Sequence, residues 1–102
     1  MKVLLDYGAG IDLQDKDGNS ALIRTMKSVS RNALQVLLFL IERGANVDLT
    51  NNSGRSALSI GCEKGNTERV RTLLKHGAQI NLLDNLGKSP LMYASQGNIL
   101  IV

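Results

Sequence analysis

Two short patterns recur along the chain on one period. Tyr7-Gly8-Ala9-Gly10-Ile11-Asp12, Arg43-Gly44-Ala45-Asn46-Val47-Asp48 and His76-Gly77-Ala78-Gln79-Ile80-Asn81 place their first shared glycine at 8, 44 and 77, spacings of 36 and then 33. Asp17-Gly18-Asn19-Ser20-Ala21-Leu22, Ser53-Gly54-Arg55-Ser56-Ala57-Leu58 and Leu86-Gly87-Lys88-Ser89-Pro90-Leu91 repeat at the same intervals. Two registers on one period define a tandem array, in which each copy is too small to bury its own apolar face and must bury it against its neighbours. At 102 residues the array makes one domain and leaves no room for a multidomain enzyme.

Each period reads as helix, turn, helix and extended loop. Ser20, Ser56 and Ser89 stand where a hydroxyl accepts from the first free amides of a helix. Pro90 suits a first helical residue whose amide has no partner. Leu22, Thr25 and Met26, then Leu58, Gly61 and Cys62, then Leu91, Ala94 and Ser95 keep the i, i+3, i+4 spacing of a helix face, with small residues that permit close packing. A second helix carries Leu37, Leu40 and Ile41 in one copy and Val70, Leu73 and Leu74 in the next, with Asn66 as its expected cap and Glu68 in its first turn. It is predicted to end at Gly44 or Gly77, behind Arg43 or Lys75-His76. The segments 11–19, 47–55 and 80–88 hold Asp, Asn and Gly and suit hairpin-like turns beside the helices.

The residues at this point resemble ankyrin repeats, whose pattern Gly-x-Thr-Pro-Leu-His is followed by Leu-Leu-x-x-Gly-Ala-x-Val-Asn. It stands here as Gly87-Lys88-Ser89-Pro90-Leu91-Met92 and as Leu73-Leu74-Lys75-His76-Gly77-Ala78-Gln79-Ile80-Asn81. The resemblance covers essentially the whole chain and implies an all-α, helix-turn-helix solenoid with β-hairpin-like loops between repeats. It divides the chain into a partial repeat at 1–14, a repeat with a three-residue insertion at 15–50, a repeat at 51–83 and a partial repeat at 84–102.

The family's Thr is Ser in all three copies, which keeps the capping oxygen. Its His is Ile23, Ser59 and Met92, so the usual side-chain bonds between neighbouring repeats are missing and stability is expected to suffer. The extra residues fall at 28–32 and enlarge the loop between two helices. Met1 and Val102 both fall inside second helices, without polar capping repeats, so the sequence reads as part of a longer solenoid or as a very short protein with exposed ends. The apolar termini, such as residues 99–102, carry a risk of end-to-end self-association.

Composition narrows the chemistry. The chain is 43% hydrophobic with three aromatics and one cysteine, so an aliphatic core must hold without an internal disulfide, in a setting read as intracellular and cytoplasmic. A chain this short buries roughly 60–65% of its unfolded surface. The longest strictly apolar run, residues 36–41, is far too short to span a bilayer, and Asp6 interrupts any secretory leader. That run is apolar around more than one helix face. Leu38 or Phe39 must therefore point outward, to be covered by the 28–32 loop or by a partner.

No catalytic or metal centre is expected. His76 reads as an exposed helix-end residue, and Cys62 as a small buried hydrophobe; one His and one Cys cannot make a zinc site. Aligning Gly18 to a calcium loop puts Leu13 first and Arg24 last, where carboxylates are needed, so Asp12, Asp15 and Asp17 read as turn formers. Gly8-Ala9-Gly10 lacks a third glycine and a lysine and is not a phosphate cradle. Asn51-Asn52-Ser53 matches a glycosylation acceptor by chance.

Surface remains. The resemblance implies partner binding along the concave face of loop tips and first helices: Lys16, Asp17, Asn19 and Lys27, then Asn52, Ser53, Arg55, Glu63 and Lys64, then Asn85, Leu86, Lys88 and Gln96. Five of these are basic and two acidic, and the chain carries twelve Lys and Arg against nine Asp and Glu, a net charge of +3. A partner protein with an acidic stretch, anchored on Leu86, is favoured. No cofactor or small-molecule substrate is implied, membrane insertion is excluded, and nucleic acid is disfavoured by the scarcity of aromatic surface. The other reading is a structural spacer inside a larger scaffold or membrane-associated protein. Resemblance to the family also makes Asn81 a position that some intracellular asparaginyl hydroxylases modify.

Overall fold

The computed structural model describes residues 10–96, which form five helices: α1 (Ala21–Lys27), α2 (Ala33–Glu42), α3 (Ala57–Lys64), α4 (Thr67–Lys75) and α5 (Pro90–Gln96). The expected helical placements of Met1, Val102 and residues 99–102, and the repeat segment at 7–9, lie outside the described residues.

The helices start and stop where the side-chain chemistry directs. Ser20 Oγ accepts from the Ile23 amide at 3.3 Å, Ser56 Oγ from Ser59 at 3.2 Å and Ser89 Oγ from Met92 at 3.4 Å, so all three first helices are capped by the serine that replaces the family threonine. The second helices close on Gly44 and Gly77. Their following amides, Ala45 and Ala78, each reach back 3.0 Å to the carbonyls of Leu40 and Leu73. Asn66 departs from expectation. Its side chain makes no bond to its own helix and instead donates from Nδ2 to the Met26 carbonyl, 2.8 Å away across the stack. The end of α1 has no glycine terminus, and its unsatisfied carbonyls compete successfully for that amide.

First helices α1, α3 and α5 stack side by side, and α2 and α4 form the row behind them. Leu22, Ile23, Met26, Leu37, Leu40, Leu58, Ile60, Val70 and Leu73 make a continuous aliphatic core. Small residues set the spacing: a methyl on Gly61 would collide with Met26 Cε and sit 3.0 Å from Val70 Cγ2. In the last copy Leu91 and Met92 remain half-exposed, while Tyr93 and Ala94 take the buried positions.

The loops are hairpin-like without forming strands; a single antiparallel bridge joins Thr50 and Ser56 among the described residues. One side chain folds each loop. Asp15 Oδ1 accepts from the amides of Asp17 and Asn19, Asn51 Oδ1 from Ser53 and Arg55, and Asp84 Oδ1 from Leu86 and Lys88, all at 2.9–3.1 Å. Each loop then hangs on the one before it. The Asn52 amide donates to Asp17 O at 3.1 Å and its Nδ2 to Lys16 O at 2.9 Å; the Asn85 amide donates to Ser53 O at 3.0 Å and its Nδ2 to Asn52 O at 2.9 Å. Asp12 Oδ1 accepts from the Asn46 amide and Asp48 Oδ1 from the Gln79 amide, at 2.9 and 2.8 Å. These bonds join neighbouring copies where the family histidine is missing.

The run at 36–41 resolves as one buried face and one flank. Leu37 and Leu40 are fully buried and Leu38 is 37% exposed. Phe39 packs against the core and carries the Arg43 guanidinium 5.0 Å from its ring centroid.

The close approach of loops gives a test. Gly18 and Gly87 both have left-handed backbones, φ 82° and 77°, which cost an L-residue about 1–2 kcal/mol. A Cβ on Gly18 would also stand 2.5 Å from the Asn52 amide nitrogen, whereas one on Gly87 meets nothing within 4 Å. Gly18→Ala is therefore expected to lower Tm roughly twice as far as Gly87→Ala, through the added cost of overpacking. Equal losses in thermal melts would show that the loop-to-loop contact contributes nothing.

Candidate functional site

Arg55 ends the second loop and lies along the front of α3. Its Nε donates to Ser59 Oγ at 3.3 Å and its Nη1 pairs with Glu63 at 2.8 Å. The guanidinium also covers the Tyr93 ring of the next copy, 4.3 Å from the centroid, and the Lys88 ammonium lies 5.4 Å from the same ring. The Tyr93 hydroxyl donates to Asp84 Oδ2, whose other oxygen folds the loop. One chain of contacts thus runs from Glu63 through Arg55 and Tyr93 to Asp84 and spans two copies.

Its members line a groove of ≈ 460 Å³ whose rim carries Leu86, 78% exposed. The Tyr93 hydroxyl, with the Lys88 and Leu86 amides, holds the Asp84 carboxyl below its usual range, and the same bond raises Tyr93. Bonds from the Asn19 and Asp17 amides lower Asp15 in the equivalent loop.

Of the thirteen positions taken from the sequence, eleven fall into three groups. Ser53, Arg55, Glu63, Asn85, Leu86 and Lys88 gather around this groove. Lys27, Glu63 and Lys64 line a second hollow, where Glu63 adjoins the first. Lys16, Asp17 and Asn52 are exposed on the loops, but both amide donors of Asn52, like those of Asn85, are spent on the preceding loop. Asn19 does not reach the surface. It is 8% exposed, and its Oδ1 accepts from Asn51 Nδ2 at 2.9 Å. Gln96 closes α5, and its side chain lies outside the described residues. Asn81 is exposed after Ile80.

Tyr93 and Asp84 were not among the residues singled out. Tyr93 stands where the other copies have Arg24 and Ile60, and a lone aromatic at a first-helix position was the available signal.

Cys62 is buried, and burial pushes its thiol up to about 11. His76 is exposed, with Nδ1–H donating to the Thr72 carbonyl at 2.9 Å. Among the described residues no three His, Cys, Asp or Glu side chains converge in a group that could hold a metal ion, and no helix is long and apolar enough to cross a membrane.

A profile of ankyrin repeats in three copies matches residues 1–81 and 25–102. The chain belongs to the ankyrin-repeat family. It is 38% identical over 99 residues to the B-cell lymphoma 3 protein homolog of Mus musculus, a match spanning 96% of this chain and 21% of that protein. It is 37% identical over 101 residues to the B-cell lymphoma 3 protein of Homo sapiens, spanning 98% and 22%. Ankyrin repeat domain-containing protein 63 of Homo sapiens is 39% identical over 56 residues, spanning 55% of this chain and 15% of that one. The crystal structure of the ankyrin repeat domain of Bcl-3, described as a unique member of the IkappaB protein family, superposes with a TM-score of 0.82 at 38% identity, covering 91% of this chain and 40% of that one. This ankyrin chain therefore spans about a fifth of the length of the Bcl-3 relatives.

The depressed carboxylates set an acid limb. Asp15 and Asp84 are lowered in the folded state relative to an unfolded value near ~3.9, so they stabilise the fold above about pH 4 and that contribution is lost as pH falls through their folded values. Asn51 already folds its loop with an amide oxygen. Asp84→Asn is accordingly expected to keep the turn and to show a smaller fall in Tm between neutral pH and pH 3 than the parent chain. An unchanged acid limb would remove Asp84 from the account.

Proposed function

We propose that this ankyrin array is a non-catalytic interaction module that binds a partner protein along its concave face. The observation that carries the reading is the groove at Arg55, Lys88 and Tyr93, fixed by contacts between two copies and rimmed by the solvent-exposed Leu86. An apolar anchor beside a pre-set polar groove suits protein recognition, because little is lost in ordering it. The relatives support the class: they are ankyrin-repeat proteins, and one is described as a member of the IkappaB family. The reading places the module inside the cell and assigns it no reaction.

The partner's chemistry is acidic and aliphatic. Glu63 neutralises Arg55, so the attraction rests on Lys88 and Lys16 rather than on Arg55. A spacer within a larger scaffold is the competing role. Its support is that the loop asparagines Asn52 and Asn85 are spent within the stack.

The two roles separate by variants that keep the Arg55–Glu63 pair and the Arg55–Tyr93 contact. The combination Lys16→Glu, Leu86→Ser and Lys88→Glu is expected to remove the proteins that the parent chain cross-links through Leu86, with a smaller loss of Tm than Arg55→Glu because only the Lys88–Tyr93 contact goes. Arg55→Glu is expected to lower Tm, since it breaks the Glu63 pair and the Tyr93 contact. If the triple variant captures the same proteins as the parent, the concave groove is not the docking face; if neither captures any, the spacer role stands.

A further inference from the structure

The enlarged segment at 28–32 is held in place by the following copy. Arg69 Nη1, from α4, donates to the carbonyls of Thr25 and Ser28, each at 2.8 Å, and Asn66 Nδ2 donates to Met26 O at 2.8 Å. Ser28 Oγ accepts from the Ser30 amide at 3.0 Å, and Ser30 Oγ from the Asn32 amide at 3.2 Å. A segment whose first residue is anchored by the next copy and whose turns are self-bonded pays little to be ordered on binding.

At its crest Val29 is 98% exposed. A β-branched apolar side chain held rigidly in water gains nothing for the fold. Val29 and Lys27 share a hollow of ≈ 460 Å³ with Lys64. On the other side of Asn66, Arg31 and Arg69 line an adjoining hollow of ≈ 280 Å³. Two carboxylates reach these hollows: Glu63, already paired with Arg55, and Glu68 on the far side. Among the described residues no carboxylate forms an ion pair with Lys27, Arg31 or Lys64, although Asp15 lies within electrostatic range of Lys27. Meanwhile Asp12, Asp15, Asp48 and Asp84 are committed to loop amides. The edge formed by the helix turns is thereby left cationic around one apolar residue.

We propose that Val29, Lys27, Arg31 and Lys64 form a second docking surface, which takes an acidic segment of a partner protein with an aliphatic side chain seated against Val29. The aliphatic contact distinguishes this partner from a plain polyanion, for which the exposed valine offers nothing. Leu86 plays no part in it, so this surface and the groove of the proposed function fail separately.

The test is a titration of the 102-residue chain, followed by amide NMR shifts. The probe is a synthetic peptide rich in Glu and Asp with a central Leu-Ile pair. Saturable shifts at residues 27–31 and 64–66 are expected. Val29→Ser should weaken binding roughly tenfold, the value of one buried valine, with Tm unchanged. The pair Lys27→Glu and Lys64→Glu should weaken it at least as far, and Leu86→Ser with Lys88→Glu should leave it intact. The proposal is overturned by no saturable binding, by a footprint confined to Leu86 and Lys88, by undiminished affinity in Val29→Ser, or by oligouridylate binding the same residues as tightly as the peptide.

Discussion

The fold depends on each loop donating backbone and side-chain hydrogen bonds to the loop before it. Asn52 reaches Asp17 and Lys16, and Asn85 reaches Ser53 and Asn52, with Gly18 and Gly54 close enough beneath that no side chain fits between. This ladder fixes the rise from copy to copy, and the rise decides which first-helix residues meet. At that spacing Met26 packs directly over Gly61 of the next copy. The aliphatic core supplies most of the free energy, but apolar contact is non-directional and would accept several offsets; the polar ladder selects one.

The same division of labour arranges the charges. Aspartates are drawn into the loops because their oxygens close turns and accept from the next copy's amides. Several lysines and arginines collect on the helices, where long side chains are tolerated and the last carbonyls favour cations. A net charge of +3 therefore understates how unevenly the surface is charged. Arg55 and Arg69 are exceptions in use: one lies over Tyr93 and pairs with Glu63, the other binds carbonyls at the end of α1, and both act as struts between copies.

Most of the architecture was legible in the residues, since the period, the capping serines and the terminal glycines are local signals with local causes. The candidate site was legible only by position. The resemblance to ankyrin repeats, carried over residue by residue, put Arg55, Leu86 and Lys88 on one face, and one groove gathers them. It could not reveal that Asn19 is buried under Asn51, or that Asn66 would desert its own helix for the Met26 carbonyl, because both outcomes rest on what the adjacent copy offers. Tyr93 escaped notice for the same reason. Its role exists only once Arg55 of the preceding copy lies across it.

Cys62 sits inside α3 with its thiol pushed up to about 11 by burial, so it is inert while the helices stay stacked. No other sulfhydryl competes with it. The molecule therefore carries a built-in chronometer: the pace at which an alkylating reagent consumes this one sulfur counts how often the central helices part company in the native state.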